Sequence, residues 1–157
     1  VILNNQMDDF SAKAGVPNFY GLLGGEANAI EPGKRPLSSM TPTFVFSDQV
    51  QAALGTPGGG RITTMVLLGV LDLVDGNPPS SWVSLPRFHH QHLPDEIVFE
   101  PGAFTDEEQL KLIALGHTLK PRDRSYGNMH VVMWHRPSNG VQGASDSRWP
   151  SGRALVQ

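Results

Sequence analysis

The chain has 157 residues, of which 39% are hydrophobic and 17% charged, with a net charge of -3. The length suits one domain with a sizeable core of its own, and the balance excludes a disordered acidic tail and a basic surface for phosphate backbones. The absence of cysteine excludes a disulfide framework, a thiol nucleophile and cysteine-ligated zinc.

Seventeen glycines and thirteen prolines predict many tight turns and backbone-lined sites. Position 1 is valine and residues 1–5 read as a strand already under way, so an upstream segment is expected. The first residues lack the basic and apolar regions of a signal peptide, and the longest apolar run, 65–74, is half the length of a membrane span. Asn5, Gln6, Asp8 and Asp9 cluster after that first strand. An ideal strand would set Gln6 and Asp9 on opposite faces, whereas a turn beginning at Met7 would bring them together. A carboxylate beside an amide carbonyl suits an ammonium group, and turn capping is the alternative.

Residues 9–36 hold eight glycines and prolines around Phe19, Tyr20, Leu22 and Leu23. A loop this long either closes over a ligand through its aromatic pair or forms a surface Ω-loop. Ser38 and Ser39 follow Pro36 as adjacent hydroxyls, able to bind a carboxylate or to cap a turn. Residues 43–46 and 51–54 form a hairpin by pattern. Next comes Gly55 to Gly60, a glycine-rich run before a helix over 61–74 that is apolar on nearly every side and expected to be buried. Backbone N–H groups at such a turn cradle an anion. The run ends in Gly-Gly-Arg, which matches neither the phosphate-loop nor the dinucleotide pattern, so an oxyanion of acyl transfer or a plain turn remains.

His89, His90 and His92 invite a metal reading. In a strand His90 and His92 share a face and His89 points away, so a third ligand such as Asp95 would be needed, and hydrogen-bonded structural histidines are the alternative. A helix over 104–116 is announced by Thr105 and Glu108 as a capping box, by Leu110, Ile113 and Ala114 on one face, and by Gly116 as its stop. Residues 130–136 and 141–145 form a second hairpin, with His130 and His135 on opposite sides of a strand. The class is α+β or layered α/β, with residues 1–148 as one unit and 149–157 as an irregular tail.

Four stretches occur in one order: NNQMDDFSAKAGVPNFYGLLGG at 4–25, PGKRPLSSMTPT at 32–43, GTPGGGR at 55–61 and PRFHHQHLPDE at 86–96, with GASDSR at 143–148 behind them. Together they resemble γ-glutamyltranspeptidase over most of the chain. The resemblance implies the C-terminal part of the small subunit of an N-terminal-nucleophile hydrolase, whose α/β/β/α sandwich is made jointly with a large subunit. It implies γ-glutamyl acyl transfer from glutathione and related amides to water or an amine, through a threonine acyl-enzyme whose nucleophile lies upstream of this chain. No cofactor or metal enters that chemistry.

By the same resemblance Gln6 and Asp9 hold the α-ammonium, Ser38 and Ser39 the α-carboxylate, Gly58 and Gly59 form the oxyanion hole, and Tyr20 sits in a lid. The partners implied are the large subunit of the same precursor, amino-acid or peptide acceptors and water, and the implied location is periplasmic or extracellular. Ala14 and Gly60 stand where the family often has proline and serine, and neither touches an assigned role, while His92, where tryptophan is frequent, is expected to alter packing under the first helix. Without its upstream partner the chain is expected to show an uncovered apolar face around residues 62–74.

Overall fold

A computed structural model describes residues 5–149 and 152–156. The strand expected over residues 1–5 lies, apart from Asn5, outside the described residues. From Asn5 to Pro42 the chain is irregular, with single 3-10 turns at Gln6–Asp9 and Glu26–Asn28.

The first hairpin is β1 (Thr43–Phe46) and β2 (Val50–Gly55), with Thr43 opposite Leu54 and Phe46 opposite Gln51. A 3-10 turn at Gly59–Arg61 leads into α1 (Ile62–Val74), and α2 (Pro79–Ser84) follows with proline at its first position, where the missing N–H costs nothing. The second hairpin, β6 (His130–His135) and β7 (Gly140–Ser145), joins the first, giving an antiparallel sheet in the order β1-β2-β6-β7. Between the hairpins lies a second sheet of β3 (Phe88–Gln91), β4 (Glu96–Phe99) and β5 (Leu119–Pro121), in which β4 and β5 are parallel and are connected through α3 (Asp106–Ala114). Thr105 and Glu108 make the capping box in both directions.

The core lies between one face of the four-stranded sheet and the two preceding helices. Ala52, Leu54 and Val131 point from the strands, and Ile62, Met65, Val66, Trp82 and Val83 from α1 and α2. A methyl group at Gly69 would fall 3.1 Å from Leu54 Cδ1 and 3.3 Å from Met129 Sδ, so this glycine lets α1 lie close on the sheet. The helix is not buried all round, as its composition predicted: Leu67, Leu71 and Val74 face solvent. The expected uncovered face is therefore only the outer side of α1. Leu110 and Ile113 of α3 are exposed as well.

The other face of the four-stranded sheet is apolar and exposed on its β1 side, with the tail lying against its β7 edge. Phe44 and Phe46 stack at 6.4 Å, and Val132, Trp134 and Val141 continue the same face across the register. Residues 152–156 form no helix or strand, and Ala154 and Val156 reach Gly143 of β7. No helix among the described residues is long and apolar enough to cross a membrane.

Candidate active site

The 3-10 turn at Gln6–Asp9 decides the first question the sequence left open, because side chains three apart eclipse in this helix and Gln6 and Asp9 share one side. Asn28 holds the turn in place. Its Nδ2 donates to the Asp9 carbonyl at 2.8 Å, while its Oδ1 accepts the Leu37 N–H at 3.0 Å. One amide side chain thus ties the Asp9 turn to the strand of backbone that presents Ser38 and Ser39.

Short local bonds hold the Ser38 hydroxyl and the Ser39 backbone. Ser38 Oγ accepts the Met40 N–H at 3.2 Å, and the Ser39 carbonyl accepts the Thr41 hydroxyl at 3.0 Å. A cavity of about 460 Å³ brings Gln6, Asp9, Tyr20, Ser39, Gly58 and Gly59 to one lining. Ser38 lines a neighbouring cavity of about 500 Å³, which shares Asp9 and Ser39 with the first.

Gly58 and Gly59 have φ of 152° and 58°, in the region that favours glycine. Space at both positions is also closed. A Cβ on Gly59 would fall 2.6 to 2.7 Å from three carbons of the Tyr20 ring, and one on Gly58 would fall 2.6 Å from Met65 Cε. Their carbonyls accept the N–H groups of Arg61 and Ile62, and their own N–H groups make no backbone hydrogen bond to a described residue. Among the described residues, these two N–H groups at the entry of α1 are thus left without a backbone partner. Thr56, just before the turn, is occupied: its Oγ1 accepts the Asn128 N–H at 3.1 Å and donates to the Pro57 carbonyl at 3.1 Å.

Tyr20 is carried by a tight loop built on Asn18, whose Oδ1 accepts the N–H groups of Tyr20 and Leu22, each at 3.0 Å. Such side-chain turns are why asparagine precedes Gly21 here, at φ 75°. The Tyr20 ring lies over Gly59 and Leu22 over Gly60, so the loop closes directly onto the glycine turn.

The histidines do not assemble as the strand argument expected. β3 ends at Gln91, so His92 has no strand face to share with His90. His90 Nε2 instead meets Asp95 Oδ1 at 2.7 Å on the surface, a contact that holds the Asp95 carboxyl below its usual range. His89 is buried, between Thr64 and Gln91. Among the described residues no three histidine, aspartate or glutamate side chains are grouped to hold a metal ion.

Arg87, Asp146 and Arg148, which lie in two of the quoted stretches without an assigned role, form an ionic cluster with Glu100. Arg87 bonds Asp146 Oδ2 at 2.5 Å and the Tyr126 carbonyl, Arg148 bonds Glu100 at 2.7 Å and Asp146 Oδ1 at 3.2 Å, and Arg87, Glu100 and Asp146 are all buried. The Glu100 carboxylate also accepts the Arg87 and Tyr126 N–H groups. Burial alone would raise the Asp146 carboxyl, but the N–H of Arg148 and the Arg87 guanidinium hold it below its ordinary value. Charge in a pattern of i and i+2, as in Asp146 and Arg148, looks like any polar turn in a sequence, which is why the cluster is invisible there.

The gamma-glutamyltranspeptidase family model matches residues 1–156. The glutathione hydrolase proenzyme of Escherichia coli (strain K12) is 47% identical over 150 residues, which are 94% of this chain and 25% of that protein. A second such proenzyme, from Pseudomonas sp. (strain A14), is 42% identical over 99% of this chain and 28% of its own length. The chain thus spans about a quarter of the length of these two curated relatives. Among solved structures, a mutant gamma-glutamyltranspeptidase of Helicobacter pylori superposes with a TM-score of 0.86 at 40% identity, over 94% of this chain and 81% of that one. The Pseudomonas nitroreducens enzyme complexed with L-DON gives 0.83 at 38%, over 99% and 82%. A cephalosporin acylase from Bacillus halodurans, 19% identical with a TM-score of 0.67 over 77% of this chain and 23% of that one, shares the fold alone.

Proposed function

Because the chain belongs to the gamma-glutamyltranspeptidase family, with its α+β N-terminal-nucleophile hydrolase fold, we propose that it carries the γ-glutamyl recognition and oxyanion half of an acyl-transfer site. The whole protein then hydrolyses glutathione and related γ-glutamyl amides, or passes the acyl group to an amino acid or peptide. The observation that carries this reading is the single cavity shared by Gln6, Asp9, Ser39, Tyr20, Gly58 and Gly59.

In this reading Asp9 pairs with the α-ammonium and the Gln6 carbonyl oxygen adds a second acceptor, while Ser38 and Ser39 donate to the α-carboxylate. Fixed at that end, the substrate presents its γ-carbonyl to the N–H groups of Gly58 and Gly59. Those donors gain most as negative charge develops on oxygen in the tetrahedral intermediate. Tyr20 covers the turn and excludes water from it.

The attacking hydroxyl belongs to a threonine of the polypeptide upstream, freed at a new N-terminus by self-cleavage. The large subunit and the segment preceding this chain cover the exposed part of the sheet face, which bears Phe44, Phe46 and Trp134. By the same family reading, the mature protein works in the periplasm or outside the cell.

Charge at the ammonium end provides the test. In the full, self-cleaved protein, Asp9→Asn is expected to lower kcat/KM for γ-glutamyl-p-nitroanilide by about 2–4 kcal/mol, the cost of removing one partner of a desolvated charge pair. Glutaryl-p-nitroanilide, which lacks the ammonium, should respond far less. Equal losses on both substrates, or none on either, would remove Asp9 from this role. The 157-residue chain alone is expected to release no p-nitroaniline, since the Thr56 hydroxyl is already engaged and no other part of the reading supplies a nucleophile.

A further inference from the structure

Outside the cavity, the polar groups of β3 form an unbroken chain from α1 to the loop that carries Tyr20. His89 is only 6% exposed. Its Nδ1 lies 3.0 Å from Thr64 Oγ1 on α1, and its Nε2 lies 2.9 Å from Gln91 Oε1. The Gln91 amide nitrogen in turn donates to two backbone carbonyls, Tyr20 at 3.0 Å and Leu93 at 2.6 Å.

The inventory of donors fixes the direction of the Gln91 end of this chain. Two carbonyls face one end of the Gln91 amide, so its NH₂ must point there and its oxygen toward His89. That oxygen can only accept, so His89 carries a hydrogen on Nε2. Burial and the neighbouring Arg61 and His90 disfavour a second proton, against the opposing pull of the Gln91 bond, and Nδ1 then takes the Thr64 hydroxyl hydrogen. Were Nδ1 protonated, Thr64 Oγ1 would accept from it and turn its own hydrogen to the Arg61 carbonyl, 3.0 Å away. The orientation of Gln91 is the same in both cases.

At the far end the contact is close. A Cβ on Gly21 would lie 3.0 Å from Gln91 Nε2, so the bare backbone after Tyr20 is what lets the amide reach in. Among the described residues, no other hydrogen bond joins residues 17–25 to a β-strand. Tyr20 and Leu22 also pack over Gly59 and Gly60, and backbone bonds tie Gly24 to Gly15 and Gly25 to Asn28.

We propose that His89 is a positioning residue for the acyl-transfer reaction: it orients the Gln91 amide, which holds the Tyr20 carbonyl and thereby keeps the Tyr20 ring over Gly59. The inference rests on reading the Tyr20 loop as the cover of the γ-glutamyl site. It assigns a role to the first histidine of the His89, His90, His92 group, by a route other than metal binding.

The experiment uses the matured full-length protein with Gln91→Glu, which keeps the length and the acceptor facing His89 but loses both donors, and with His89→Phe, which frees the amide to turn. Amide hydrogen exchange at Gly21 and Leu22 is read against exchange in β1 and β2, so that a general loss of stability cancels. KM and kcat for γ-glutamyl-p-nitroanilide are read alongside. Both variants are expected to raise the loop-to-sheet exchange ratio and the KM about tenfold, with kcat within about twofold, the scale of one or two lost hydrogen bonds. His90→Phe, one residue away on the opposite side of β3, should leave both readouts unchanged.

An unchanged exchange ratio in His89→Phe would overturn the role of His89, and an unchanged ratio in both variants would overturn the latch as well. A raised ratio with unchanged KM would keep the latch and overturn the reading of the loop as a substrate cover. Should Gln91→Glu fail to mature, Gln91→Met, which removes both donors without a charge, is read by the same two measurements with the same meanings.

Discussion

Gly59→Ala is the substitution for which the structure makes the sharpest demand. At φ 58° an alanine is strained by about 1 kcal/mol, a cost that any side chain would meet there. The larger effect is spatial. The new methyl group would lie 2.6 to 2.7 Å from Cε2, Cδ2 and Cζ of Tyr20, so ring or turn must retreat by about 1 Å to reach ordinary carbon contact near 3.5–4.0 Å. Retreat of the turn moves a donor off the developing oxyanion, and the loss of one such donor typically costs about 10²–10³ in kcat. Retreat of the ring instead opens the cover, which appears in KM.

The assay is steady-state hydrolysis of γ-glutamyl-p-nitroanilide by matured wild type, Gly59→Ala, Tyr20→Ala and the double variant. Because the clash needs both side chains, the double variant should be less impaired than the product of the two single effects predicts, by about 1 kcal/mol or more. Gly58→Ala makes the contrast: its Cβ meets only the flexible end of Met65, so removing Tyr20 should give it no relief. Wild-type kcat/KM in Gly59→Ala, or effects that multiply independently, would refute the reasoning.

Two further outcomes follow from the supports of the site. Asn28→Ala strips the partners from the Asp9 carbonyl and the Leu37 N–H together, and is expected to raise KM about tenfold or more while shifting thermal unfolding only modestly, as steady-state kinetics and a melting curve would show. Asp146→Asn leaves Arg87 without its buried carboxylate and should cost about 3–5 kcal/mol in denaturant unfolding of the matured protein at pH 7. The wild-type Asp146 carboxyl lies below its ordinary value, so its contribution is present above about pH 4 and fades as pH falls through the depressed folded value; the variant should show a smaller loss over that acid range.

The readable parts of this sequence are those whose signals are local. The capping box at Thr105 and Glu108, the alternation in residues 130–135 and the glycine turn before α1 all lie where their patterns put them. The pairing of Gln6 with Asp9 needed one further fact, that a 3-10 turn rather than a strand follows Asn5. Periodicity failed for α1, where apolar residues on the outer side suggested burial that this chain does not supply. It also failed for the β3-β4-β5 sheet, whose strands are three or four residues long and too short to show a period. Asn28, Gln91 and the Arg87, Asp146 cluster act across 9 to 71 positions of sequence, and such partners carry no mark that a single sequence displays.

The exposed aromatic patch on the outer sheet face bears on how the protein is made. Two stacked phenylalanines, a tryptophan and two valines in water form a surface to which chaperones and other nascent chains adhere. Until that surface is covered, every encounter between copies is a chance to stick, so losses grow with the rate of synthesis rather than with the lifetime of the finished protein. Slower expression at lower temperature, or synthesis in one polypeptide with whatever covers the face, should raise the soluble yield far more than any substitution inside the core.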